Sequence, residues 1–312
     1  MKELGRPGLG LFRQREGARA DSDHAMAAVR RGAKHRARVA RASRRKGDVQ
    51  PDATTVDFDR PHLALLRAPQ HPCPVPKLSG QITVATYNVH RWSGLNGRSR
   101  PDPARAAFVI SEMDADLIAL QEVLRPLRGE DPLEVLAEAL GLHVAFAATR
   151  VHRRGQIGNA ILSRWPIASV SMLDLSYGRL EKRVAVAAQF KNGSGEFDVV
   201  STHLALADRI RRRQVDSLLE HPRLSETPTL LMGDMNAWRR CKATRTLDAA
   251  LRSHQNLEWP ASFPSASPVL SLDRIYSRGV HVLELSAHAS RAARRASDHL
   301  PVVARVKLPG RG

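Results

Sequence analysis

The stretch ITVATYNV, residues 82–89, decides how the chain is read. It alternates β-branched and small residues, the pattern of a strand. Upstream of it the texture differs. Segment 30–47, RRGAKHRARVARASRRKG, is basic and poor in large apolar residues, and segment 68–80, APQHPCPVPKLSG, is rich in proline. Proline fixes φ and removes an amide donor. A chain with so little apolar surface cannot offset the entropy of its own ordering. Residues 1–80 are therefore expected to be a basic, mostly disordered extension, with a frayed helix near residues 27–42, and residues 81–312 the folded domain.

Downstream of Val89 the pattern switches repeatedly between helix and strand. Asp102-Pro103 predicts an N-cap and first helical residue for PARAAFVISEM, and Asp131-Pro132 repeats the device before a helix that Gly141 ends. DLIALQEV, HVAFAAT, IGNAILS, RVAVAAQF, FDVVSTHL, TLLMGD, SLDRIYS, VHVLELSA and PVVARVKL read as strands, with a hairpin turn at residues 191–195. ADRIRRRQVDSLLE and ATRTLDAAL read as helices. Strands dominate and hairpins alternate with crossovers. The expected class is α/β, with a mixed sheet, arranged as two sheets face to face between helices.

The composition bounds the function. The 312 residues carry a net charge of +18, half of it in residues 1–80. Such charge draws phosphate-bearing partners, nucleic acid or anionic lipid; a solvated tail and an arginine-rich coding bias account for it equally well. No run approaches the ~20 apolar residues of a membrane helix, and the first residues lack the apolar core of a secretory signal. A cytoplasmic monomer is expected. Two cysteines, Cys73 and Cys241, rule out a disulfide framework and a four-cysteine zinc site.

Six strand ends carry polar residues that a core would reject: Asn88, Glu122, His203, Asp234 with Asn236, Asp273, and Asp298 with His299. Singly, each reads as a turn-former. Together, on one rim, they make an oxygen-rich, carboxylate-dominated set suited to Mg²⁺ or Mn²⁺. Beside two imidazoles, a hard cation suits phosphate ester hydrolysis.

In order, TYNVH (86–90), LQEV (120–123), GNAILSRWPI (158–167), STHL (201–204), GDMN (233–236), LDRIYS (272–277) and SDHLPVV (297–303) resemble the motifs of the endonuclease/exonuclease/phosphatase superfamily, over about residues 81–308. The resemblance implies a four-layered αββα sandwich of two mixed β-sheets flanked by helices. It implies Glu122 as principal Mg²⁺ ligand, Asn88 at phosphate or metal, and Asp298 as a further metal ligand. Asp234 would orient or deprotonate water, Asn236 would bond a phosphoryl oxygen, and Asp273 would orient the catalytic His299. His203 would protonate the leaving group or stabilise the pentacoordinate state. Asn159 and Arg183 would bind substrate. Arg239, Arg240 and Lys242 follow GDMN and are placed to meet it. Arg209, Arg211, Arg212 and Arg213 read better as a solvated helix face.

The implied activity is a Mg²⁺-dependent phosphodiesterase or nuclease. A sphingomyelinase-like hydrolase of phospholipid or small phosphodiesters is the alternative, and a phosphate-binding module that lost its chemistry the non-enzyme one.

Overall fold

The computed structural model describes residues 64–309 apart from 75–77, 79, 98–99, 153, 178–181, 193–194 and 252–256. The expected helix near 27–42 and the centre of the 191–195 turn lie outside the described residues.

Seven strands form one sheet in the order β1 (Leu65–Arg67), β4 (His143–His152), β5 (Gly155–Ser163), β3 (Leu117–Arg125), β2 (Gln81–Asn88), β12 (Val302–Lys307), β11 (His281–Ala287). Five form the other, in the order β10 (Asp273–Arg278), β9 (Thr229–Asp234), β8 (Gly195–His203), β7 (Val184–Asn192), β6 (Ser169–Asp174). Each sheet has one parallel pair, β2 with β3 and β8 with β9.

Period-two alternation builds the layers. In the larger sheet Ile82, Val84, Leu117 and Ala119 point at the other sheet, where they meet Val199, Leu230, Met232 and Ile275. Their neighbours Ala85, Tyr87, Ile118 and Leu120 point the opposite way, onto α1 (Pro103–Met113) and α2 (Pro132–Leu140). On the far side Val200, Leu231 and Tyr276 pack against α3 (Asp208–Glu220) and α5 (Lys242–Leu251). The short helices α4 (Pro222–Ser225) and α6 (Ala293–Ala296) complete the set. The result is a four-layered αββα sandwich with three stacked apolar interfaces. Each fully buried Val, Leu or Ile contributes about 1.5–3 kcal/mol.

Two local expectations need correction. Asp102 makes no capping bond; its carboxylate accepts from Arg105 Nε (3.0 Å), one turn into α1, while Pro103 still fills the first helical position. Asp131 does cap α2, accepting from the Leu133 amide (3.0 Å), and Gly141 ends it at φ 65°. The sheet also begins upstream of Gln81. Leu65–Arg67 pairs with β4, and the Cys73 amide donates to the Gly141 carbonyl (3.0 Å), so part of the stretch read as an extension is edge strand and strap.

Gly233 shows how tightly the central parallel pair is built. It sits at φ 152° opposite Thr202, and a Cβ there would stand 1.9 Å from the Thr202 carbonyl oxygen. Gly233→Ala is expected to cost about 2 kcal/mol or more, which thermal unfolding would read as a melting temperature lower by about 4 °C or more.

Candidate active site

The parallel pairs explain why the polar strand ends meet. The parallel pairing of β2 with β3 stops at Asn88 and Gln121, one residue before Glu122, while β3 itself runs on to Arg125; β8 and β9 run together and end at His203 and Asp234. β10 is antiparallel to β9 and starts with Asp273 opposite Asp234. The loop bearing Asp298 and His299 enters β12, whose Val302 pairs with Thr86 near the end of β2. All these residues therefore reach one rim.

Asp234 lies at the centre. Its Oδ2 accepts from Asn88 Nδ2 (3.2 Å) and lies 3.4 Å from His203 Nε2 and 3.7 Å from His299 Nε2. Its Oδ1 accepts the Asn236 amide (2.9 Å), which fixes the left-handed turn at Asn236, φ 48°. His299 donates from Nδ1 to Asp273 Oδ2 (2.8 Å), which also accepts from Ser262 Oγ (2.6 Å). Phe263 covers the His299 ring at 4.9 Å between centroids. Ser262 and Phe263 carry no motif and are not found by sequence reading.

Burial works against a charge on His299, but Asp273 and Asp234, the hydrogen bond to Asp273, and Asp298 outweigh it and raise its pKa to about 10. His203 goes the other way. Burial and the charge of Arg183 outweigh Asp234, and with His299 and Arg150 lower its pKa to about 3. The Asn236 side chain donates from Nδ2 to the Leu204 carbonyl (2.8 Å) and turns its other Nδ2–H to His203 Nε2 (2.9 Å), so His203 acts as a neutral acceptor. An unfolded His203 gains a proton below about pH 6.5, whereas the folded one stays neutral down to about 3. Stability is therefore lost as pH falls through that window, at up to about 1.4 kcal/mol per pH unit. His203→Gln is expected to flatten this acid limb in denaturant titrations run from pH 7 to 4.

Glu122 reaches the rim through a β-bulge. The β3–β5 register shifts between Leu120 and Val123, and Glu122 takes φ 52°. Beside it, His90, Arg91 and Trp92 form a left-handed turn at φ 45°, 56° and 62°, pinned where the Trp92 indole donates to the Leu124 carbonyl (2.7 Å). That turn sets Arg91 Nε 3.3 Å from Glu122 Oε2 and His90 Nδ1 3.1 Å from Asp298 Oδ1. Burial pushes the Asp298 carboxyl up against the pull of His299 and His90, and the charge of Glu122 adds to the push. Two carboxylates, Glu122 and Asp298, with the Asn88 amide in the same rim, are a donor set that fits a hard divalent cation. Asp234, Asp273 and His299 also hold donor atoms within 4.8 Å of one another. There His299 Nδ1 and Asp273 Oδ2 are committed to each other, which leaves His299 Nε2 and the unpartnered Asp273 Oδ1 as the donor atoms of a second candidate cation position.

Asn159 is buried and donates from Nδ2 to the Val184 carbonyl (2.8 Å), tying the larger sheet to the start of β7, where half-buried Arg183 stands close enough to act on His203. The solvated-face reading fails for Arg211. It is buried and donates from Nη1 to the carbonyls of Ala205 (2.9 Å), Leu206 (3.0 Å) and Asn236 (2.8 Å). It thus clamps the loops after β8 and β9 together. Its spacing with Val215 and Leu218, i, i+4, i+7 along α3, was a usable signal.

A sequence model described as Endonuclease/Exonuclease/phosphatase family matches residues 85–299. The chain is 31% identical to "Uncharacterized protein YbhP" of Escherichia coli strain K12 over 248 residues, 72% of this chain and 96% of the relative. An endonuclease/exonuclease/phosphatase from Beutenbergia cavernae superposes with a TM-score of 0.60 at 23% identity, covering 74% of this chain and 72% of that one. A mannosyl-6-phosphatase from Bacteroides thetaiotaomicron superposes with a TM-score of 0.58 at 20% identity, covering 72% and 99%. At these identities the two structures show a shared fold.

Proposed function

The chain belongs to the endonuclease/exonuclease/phosphatase family, hydrolases of phosphoester bonds, and on that premise we propose that it is a Mg²⁺-dependent phosphodiesterase, with Mn²⁺ as substitute, acting on nucleic acid. The observation that carries the reading is the buried Asp273–His299 pair, whose free Nε2 faces Asp234 on the rim that also holds Glu122. A structural ion pair has no need of a second carboxylate and an amide pair aimed at the same point.

Glu122, Asp298 and Asn88 would hold the cation, which when bound polarises phosphoryl oxygens and offsets charge developing at phosphorus. Asp234, oriented by Asn88 and the Asn236 amide, positions the attacking water and receives its proton. Asp273 fixes the His299 tautomer, so that Nε2 is the atom that exchanges a proton with the reacting group. Arg183 contacts a phosphoryl oxygen; Asn236, whose two side-chain N–H groups go to the Leu204 carbonyl and His203 Nε2, does so only by turning the second of them away from His203. His203 holds the Asn236 amide and lines the site as a neutral group, which favours the stabilising role over proton donation. The P–O bond to the leaving group breaks as water oxygen adds in line.

The family name spans nucleases and phosphatases, so the substrate class is tested directly. Purified protein with Mg²⁺ is offered single-stranded DNA, RNA, phosphatidyl diesters, sphingomyelin and inositol phosphates. Cleavage of a nucleic acid strand that stops in EDTA is the expected result. Phospholipid turnover with nucleic acid left intact would replace the substrate; no turnover of any of them would remove the activity.

A further inference from the structure

Beyond Asn236 the rim opens into a cavity of about 630 Å³ lined by Leu206, Trp238, Arg239, Arg240, Lys242 and Arg245. Asn236 itself is part of its wall, which sets the cavity next to the rim that holds Asp234. Trp238 is 66% exposed, whereas Trp92 and Trp165 are buried. An exposed indole forgoes the burial that normally makes tryptophan stabilising. Its neighbours in the cavity are four exposed cations. Asp208, the acidic residue in the same wall, is already paired with Arg211 (3.2 Å) and Arg212 (3.8 Å). Lys242 also borders a second hollow of about 260 Å³ with Arg209, Arg212 and Arg213 and the single acid Asp216, so a net cationic surface continues away from the site.

We propose that this cavity is a subsite for single-stranded nucleic acid, in which a base stacks on Trp238 while Arg239, Arg240, Lys242 and Arg245 hold the flanking phosphates. The proposal rests on the phosphodiesterase reading and deepens it. An aromatic face interleaved with guanidinium and ammonium groups is what an unpaired strand needs, since every base offers a π-face and every linkage a charge. A duplex keeps its bases stacked inside and offers Trp238 no free face. A lipid surface would require a projecting apolar patch; here the indole lines a concavity, and the exposed apolar side chain beside it is Leu206.

The test is binding of a fluorescein-labelled oligothymidylate to the full chain in EDTA, so that no turnover intrudes. Trp238→Ala is expected to weaken binding by about tenfold, and Trp238→Phe to restore most of it, which a folding defect would not do. Arg239→Ala with Arg240→Ala should reduce the slope of log affinity against log salt by about 1.4. Equal affinity of Trp238→Ala and wild type for the strand overturns the subsite. So does a loss confined to phosphatidylglycerol vesicles with strand binding intact, which would assign the surface to lipid. Hydrolysis of bis(p-nitrophenyl) phosphate by the wild type with Mg²⁺ is read in parallel. Its absence would strike the hydrolase reading, while the metal-free measurement still decides the subsite.

Discussion

Replacing His299 with alanine is expected to lower phosphodiester turnover by at least about 100-fold, the usual contribution of a positioned acid–base group. The loss should fall on kcat, because Nε2 is placed to act on the reacting group rather than on remote parts of a substrate. The variant also leaves Asp273 buried with Ser262 as its remaining donor at Oδ2, and breaking a buried pair costs about 3–5 kcal/mol. Stability and chemistry must therefore be separated. Asp273→Asn combined with His299→Ala removes both charges and should recover part of the lost stability, yet none of the turnover. Recovery of both together would mean that the pair serves the fold alone. Asp273→Asn by itself keeps the ring but loses the negative charge that holds the proton on Nδ1, and should also slow turnover. Denaturant midpoints and steady-state rates on the same preparations read both effects.

Glu122→Gln is expected to weaken binding of Mn²⁺ or Mg²⁺ by about 100-fold or more. Removing a mere outer-shell partner already costs about 10–100-fold in metal affinity, so a direct carboxylate ligand sets a higher loss. The substitution is nearly isosteric, and the ion pair given up with Arg91 is partly exposed, with side chains 36% and 26% accessible; such pairs contribute little to folding. The melting temperature in EDTA should therefore stay close to that of the wild type. Activity should return in part at high metal concentration, and calorimetric titration with Mn²⁺ gives the affinity directly. Unchanged affinity would exclude Glu122 from the cation site.

The layers were legible because alternation in ITVATYNV, DLIALQEV and TLLMGD already states which residues face which interface. The rim was legible because a parallel pair must end its two strands on the same side, so Asn88 with Glu122, and His203 with Asp234, are juxtaposed by topology. Other features left weaker marks. Leu65–Arg67 is short and lies beside a proline-rich stretch, and its pairing with β4 is a long-range contact. The left-handed turn at His90, Arg91 and Trp92 contains no glycine to announce it, although it delivers Arg91 to Glu122. Ser262 reaches Asp273 from a loop eleven residues upstream, with no periodicity to betray it. Arg211 was hidden among Arg209 and Arg213, which are exposed, and Arg212, which is half-buried. Asp102 has the right chemistry for a cap but is drawn to Arg105 instead.

The claim that one rim gathers a hard cation, a positioned carboxylate and an oriented imidazole around a phosphorus centre is tested most directly with metal-stripped protein and bis(p-nitrophenyl) phosphate. Mg²⁺ titrated into that mixture should give saturable release of p-nitrophenolate that EDTA abolishes. Release that is absent with both Mg²⁺ and Mn²⁺, or that persists undiminished in EDTA, would contradict it.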